Sequence, residues 1–110
     1  MAAILYLVKD LLFTSKIRET ARQLGLDTQA VRSAEELSAA APRARVAILD
    51  LRLPDALQAV DRVSAAGIPS IGFVDHERVD LMDEATRRGC TKVLAKGKFS
   101  SDLGLLLKEL

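Results

Sequence analysis

Five times along the chain, a short run rich in Val, Ile and Leu gives way to a longer segment in which apolar residues recur at helical spacing. This alternation constrains the fold more than any other feature. The clear runs are AILYLV from Ala3, RVAIL from Arg45, IPSIGFV from Ile68 and KVLA from Lys92, with a weaker one, DTQAV, from Asp27. Runs that are apolar at consecutive positions suit strands covered on both faces, and DTQAV suits an edge. Strands that alternate with helices pair in parallel, because each helix returns the chain to the same end of the sheet. The expectation is an α/β fold, a doubly wound parallel sheet of five strands, with residues 1–110 forming one domain.

The helical segments have readable ends. In the first, Phe13, Ile17, Ala21 and Leu24 share a face, and Gly25 stands where a left-handed C-terminal residue is wanted. Ser33 and Glu36 have capping-box spacing at the start of the second, which stops before Pro42. Asp55 is placed to cap the third, whose Leu57, Val60 and Val63 or Ser64 face inward before Gly67. The fourth turns Val79, Met82 and Ala85 inward and ends at Gly89; the fifth is expected to start after Ser100 and to bury Leu103, Leu106, Leu107 and Leu110.

Charge excludes some partners. Sixteen Lys and Arg against fifteen Asp and Glu leave +1, too little to draw in nucleic acid or an anionic membrane surface. The first apolar run is far short of the ~20 residues of a membrane span and has no basic segment before it, so neither a span nor a signal peptide is expected. Cys90 is the only cysteine, which rules out an internal disulfide and fits a reducing, cytoplasmic setting. It reads as a small buried hydrophobe. The lone His76, in a loop with Asp75, reads as an exposed or capping residue, and Arg87, Arg88 and Lys92 as a solvated face.

In open parallel sheets, ligands bind beyond the carboxyl ends of the strands. The polar residues that end the apolar runs are Lys9 and Asp10, Asp50, Asp75 and His76, and Lys96. Asp10, Asp50 and Lys96 on one rim would form a small acidic pocket beside a cation. Carboxylates suit Mg²⁺ and a lysine suits a phosphoryl oxygen, which is chemistry for phosphorylating an aspartate.

Over nearly its whole length the chain resembles the response-regulator receiver domains of two-component signalling. VAILDLRLPD (Val46 to Asp55) is similar to their third strand and phospho-acceptor loop, IPSIGFV to their fourth strand, and GCTKVLAKGKF to their Gly-Ala…Lys-Pro-Phe segment. The resemblance implies a flavodoxin-like strand order 2-1-3-4-5, Asp50 as phospho-acceptor, Lys96 as the lysine that contacts the phosphoryl group, and signalling through protein partners. It also implies that any Mg²⁺ would be held by Asp10, Asp50 and the backbone carbonyl of Arg52.

The departures from that pattern cluster at the site. Lys9 replaces the first of two adjacent acids; Val74 replaces the hydroxyl residue after the fourth strand; Val93 replaces the aromatic of the fifth strand; Gly97 replaces the proline after the lysine. Lys9 either snorkels into solvent or, as is expected here, folds back among Asp10 and Asp50, neutralising the pocket and opposing a dication. Asp10 reads equally as a cap of the first helix. The side chain of Arg52 is given no role. Leu81 and Leu105 lie off the core stripes and are expected to form a face for a protein partner or a second copy.

The reading that results is an atypical, stand-alone receiver-like domain, not an enzyme, acting by protein–protein interaction. Phosphorylation at Asp50 is weakened or lost, no cofactor is expected, and Mg²⁺ binding is weak. Two alternatives stay open. One is an ordinary phosphorelay receiver, phosphorylated on Asp50 with Mg²⁺ and served by a histidine kinase. The other is a flavin or nucleotide binder on the same sheet, which the glycine-free loop KDLLFTSK disfavours.

Overall fold

The computed structural model describes residues 3–109. Its elements alternate as β1 (Ile4–Leu7), α1 (Leu11–Gln23), β2 (Thr28–Ala30), α2 (Ala34–Ala40), a 3-10 turn (Ala41–Arg43), β3 (Val46–Asp50), α3 (Ala56–Ala65), β4 (Ser70–Val74), α4 (Val79–Arg87), β5 (Lys92–Ala95) and α5 (Lys96–Lys108). The five strands form one sheet in the order β2-β1-β3-β4-β5, with every neighbouring pair parallel. This is the flavodoxin-like doubly wound topology. Among the described residues, no helix is long and apolar enough to cross a membrane.

Two hydrophobic layers sandwich the sheet, as the consecutive apolar runs require. Leu5, Leu7, Ala47, Leu49 and Val74 point to the layer completed by α2, α3 and α4, where Leu37, Val60, Val63 and Ala85 are buried. Ile4, Tyr6, Ile48, Ile71 and Phe73 point the other way, to Ile17 and Ala21 of α1 and Phe99, Leu103 and Leu107 of α5. Phe73 stacks between Phe13 and Phe99, with ring centroids at 4.8 and 4.5 Å, so one aromatic column joins α1, β4 and α5.

Several local expectations hold at the level of single bonds. The Ser33 hydroxyl accepts from the Glu36 amide at 3.1 Å and caps α2. Gly25, Gly67 and Gly89 follow α1, α3 and α4 in the left-handed region, with φ of 72°, 75° and 105°. Val63 is buried and Ser64 exposed, which decides the face of α3.

Others are corrected. Asp55 stands at the N-cap position of α3 but makes no side-chain cap bond; its Oδ2 instead accepts from the Ala34 amide at 2.8 Å, tying the start of α2 to α3. Val79, expected inward, is 58% exposed, whereas Leu81, expected on a partner face, is half-buried against the core. Leu81 stands four residues before Ala85, so both lie on one side of α4 and turn toward the sheet. Leu105 is exposed, as expected, and Leu110 lies outside the described residues.

The fifth helix begins at Lys96 and not after Ser100. A proline at 97 would push residue 96 out of the helical region by clashing with its backbone. Gly97 imposes no such restriction, so Lys96 takes helical geometry immediately after β5.

Candidate functional site

The carboxyl ends of β1, β3 and β4 and the start of α5 bring Asp10, Asp50, Asp75 and Lys96 to one rim. Asp50, the last residue of β3, is the buried acid, with 4% of its side chain exposed. Its neighbour Leu51 is fixed by a hydrogen bond from its amide to the Phe73 carbonyl at 2.9 Å and by packing over Gly72. A Cβ at Gly72 would lie 2.9 Å from Leu51 Cδ1, so the absence of a side chain in β4 is what lets Leu51 settle there.

With Leu51 held, the chain turns and Arg52 faces back on Asp50. The Arg52 amide donates to Asp50 Oδ1 at 3.0 Å, its Nε to the same oxygen at 2.9 Å, and its Nη2 to Oδ2 at 2.7 Å. This is a two-pronged guanidinium–carboxylate pair, the strongest common form of charge-assisted hydrogen bonding. The pair raises the pKa of Arg52 above the ordinary arginine range: the hydrogen bonds to Asp50 do most, burial pulls the other way, and the charges of Asp50, Asp75 and Asp10 add to the rise. A guanidinium already stays charged at any ordinary pH, so this cation is permanent.

Asp10 serves α1. Its Oδ1 accepts from the amides of Leu12 at 2.9 Å and Phe13 at 3.4 Å, the cap that one reading of the sequence assigned to it. Its Oδ2 lies 3.9 Å from Arg52 Nη2, so the guanidinium spans both acids. The expectation that Lys9 fills this place is overturned. Lys9 is exposed and has no ion-pair partner among the described residues. It directly follows the buried Val8 at the end of the β1 run, and the bidentate pairing with Arg52 leaves no carboxylate edge on Asp50 for an ammonium.

Lys96 also lies elsewhere than expected. Its Nζ is 3.0 Å from Asp75 Oδ1, an oxygen closed to solvent, in an ion pair that departs from good hydrogen-bond alignment. The ammonium lowers the pKa of Asp75 below the usual carboxylate range, against a smaller desolvation effect, with help from Arg52 and Arg78. No hydrogen bond or ion pair joins Lys96 to Asp50. The early start of α5 accounts for this: its positive end, already carrying Lys96 and Lys98, attracts the nearby carboxylate of Asp75.

Val74 is fully buried and Val93 half-buried, both in the layer under α2 to α4, so neither offers a hydroxyl or an aromatic ring at the rim. Sequence reasoning missed the side chain of Arg52, the Asp75–Lys96 pair, and the exposed Leu11 and Leu12, 80% and 83% accessible beside Asp10. The first had a signal: an aspartate that ends a strand accepts readily from the backbone amide two residues on, a turn that brings residue 52 back over Asp50.

No family model matches the chain, and no curated protein matches its sequence. Solved structures do match. A CheY-like response regulator receiver domain protein from Methanospirillum hungatei JF-1 superposes with a TM-score of 0.80 at 17% identity, covering 96% of this chain and 90% of that one. This is the response-regulator receiver fold. The receiver domain of NtrX from Brucella abortus gives a TM-score of 0.79 at 23% identity, over 96% of this chain and 95% of that one. The receiver domain of a sensor histidine kinase from Pseudomonas aeruginosa, which has a magnesium ion coordinated in its active-site cleft, gives 0.79 at 22% identity, over 98% and 95%.

The residues of this receiver fold do not fit that ion. Magnesium asks for oxygens in near-octahedral order. Here Arg52 takes both oxygens of Asp50, backbone amides take Asp10 Oδ1, and a guanidinium faces Asp10 Oδ2. Among the described residues, no three acidic, His or Cys side chains are grouped to hold a metal.

Proposed function

We propose that this chain is a receiver-like signalling module that works by docking to a protein partner, with phosphorylation at Asp50 lost. The observation that carries the reading is the occupancy of both Asp50 oxygens by Arg52. A carboxylate that must attack phosphorus needs a free lone pair, and here the hydrogen bonds to the guanidinium draw off its electron density. Lys96 is turned to Asp75, and Val74 has no hydroxyl to bind a phosphoryl oxygen.

Protein docking is supported by exposed apolar side chains at two places. Leu11 and Leu12 stand beside the pocket at the start of α1, and Val79 and Leu105 stand on α4 and α5, which both pack on β5. Adjacent, strongly exposed leucines are the kind of surface that a partner covers. A histidine kinase, an effector domain or a second copy of the chain is the class of partner this fold accommodates. Residues 1–110 are taken as one domain in a cytoplasmic setting, needing no cofactor.

Incubation with acetyl phosphate and magnesium, followed by intact mass measurement, tests the reading. The protein should gain no phosphoryl group. A stoichiometric adduct that disappears in Asp50→Asn would establish an ordinary phosphorelay receiver instead.

A further inference from the structure

The pocket differs from that of a metal-bound receiver in which positive charge it carries as well as in how many acids it has. A buried carboxylate needs a compensating charge, since an unpaired ion away from water is costly. Asp50 has only 4% of its side chain exposed, so its compensation has to come from nearby. Arg52 supplies it with three bonds, one from the backbone and two from the guanidinium, and reaches Asp10 as well.

We propose that Arg52 is the resident cation of this pocket, replacing a divalent metal with a covalently attached charge, so that the receiver fold here is held metal-free by its own side chain. The inference deepens the reading given above and rests on the same pocket. Three features separate such a cation from a metal. It cannot be removed by a chelator or diluted away. It cannot lose its charge at accessible pH. It uses the donors of one planar group, so it blocks the carboxylate edge as it neutralises it, whereas a dication leaves coordination positions open to a third oxygen.

The sequence placement makes the device local. Asp50 ends β3, Leu51 is pinned over Gly72, and Arg52 follows, so the fork closes within three consecutive residues and needs no contribution from Lys9 or Lys96. Removing the guanidinium should expose two carboxylates, Asp10 and Asp50, on a rim that then has no cation between them. The masked metal site would reappear.

Calorimetric titration with Mg²⁺, and paramagnetic broadening by Mn²⁺ at the amides of residues 10 and 50, test this on the wild type and on Arg52→Met. The wild type should show no saturable binding and no site-selective broadening, and Arg52→Met should bind at least about tenfold more tightly, because loss of a unit charge a few ångströms from a dication exceeds one decade in affinity. Saturable binding by the wild type, or an Arg52→Met protein that folds and binds no better, overturns the proposal. A second readout uses the wild type alone. The Arg52 Nε–H should give a slowly exchanging resonance that Mg²⁺ does not move and that Asp50→Asn shifts; a resonance exchanging like that of a free arginine overturns the proposal whatever the variant does. The two readings separate cleanly, since phosphorylation of Asp50 in a protein that binds no metal would remove the proposed function and leave Arg52 as the resident cation.

Discussion

Arg52 closes on Asp50 from two positions along the chain, its Nε 2.9 Å from one carboxylate oxygen and its Nη2 2.7 Å from the other. The partners are unequal. Asp50 sits on the last residue of a central strand and cannot leave, whereas Arg52 sits on a loop with 30% of its side chain exposed and can swing into water.

That inequality predicts unequal costs for the two halves of the pair. Arg52→Met strands a fixed, buried carboxylate and should cost about 2–4 kcal/mol, near the range for breaking a buried ion pair from one side. Asp50→Asn lets the guanidinium rehydrate and should cost less, about 0.5–1.5 kcal/mol, the net scale of an ordinary hydrogen bond. Urea unfolding of both variants measures the difference, and equal losses would show that Arg52 is as trapped as Asp50.

Gly72 controls the pair from the neighbouring strand. Gly72→Ala places a methyl 2.9 Å from Leu51 Cδ1 and pushes on the residue between the two partners. The expected loss is about 1–3 kcal/mol, typical of overpacking. Loss of protection at the Arg52 Nε–H should accompany it; a full loss of stability with that proton unchanged would mean that Leu51 does not position the loop.

Much of the fold was legible before any coordinates. The five apolar runs, the capping box at Ser33 and the glycines after three helices each reflect a local rule that tertiary packing did not override. Less of the site could be read. Asp10 and Asp50 came to one rim because strand ends are fixed by topology, but the direction of a lysine or arginine depends on which carboxylate edge its long stem reaches first, and Arg52 reaches it where Lys9 does not. Lys96 pairs with Asp75 because Gly97 allows the helix to start at Lys96, five residues before the start expected after Ser100. On α4, a nine-residue helix has too few turns to fix its phase, so Val79 and Leu81 exchanged places.

The exchange on α4 can be tested by charge insertion. Leu81→Lys, against the core, should cost about 1–3 kcal/mol, while Leu105→Lys should stay within about 0.5 kcal/mol of wild type, as exposed substitutions do. Thermal melts of both variants decide it, and comparable losses would return Leu81 to the surface.

The Lys96–Asp75 pair predicts part of the acid dependence. Asp75 has a folded pKa below its ordinary value near 3.9, so its contribution to stability is complete above that value and is lost as pH falls through the lower folded one. Lys96→Met removes the main cause, and the Asp75 titration should move back up toward the ordinary range, with a smaller loss of stability on acidification. A carboxyl titration of Asp75 by nuclear magnetic resonance reads this directly, and an unmoved midpoint would assign the depression to Arg52 and Arg78.

The central claim is that the Asp50 site is closed and uncoupled from the helices that flank β5. A receiver switches only if a group bound at the aspartate contacts two states differently, and here Val74 and Val93 provide no such contacts. Beryllofluoride, a phosphoryl mimic, added with magnesium to isotopically labelled protein, probes this residue by residue. The account predicts an amide spectrum that stays the same from α1 to α5. Shift changes that begin at Asp50 and spread into α4 and α5 would contradict it and make the protein a working phosphorelay receiver.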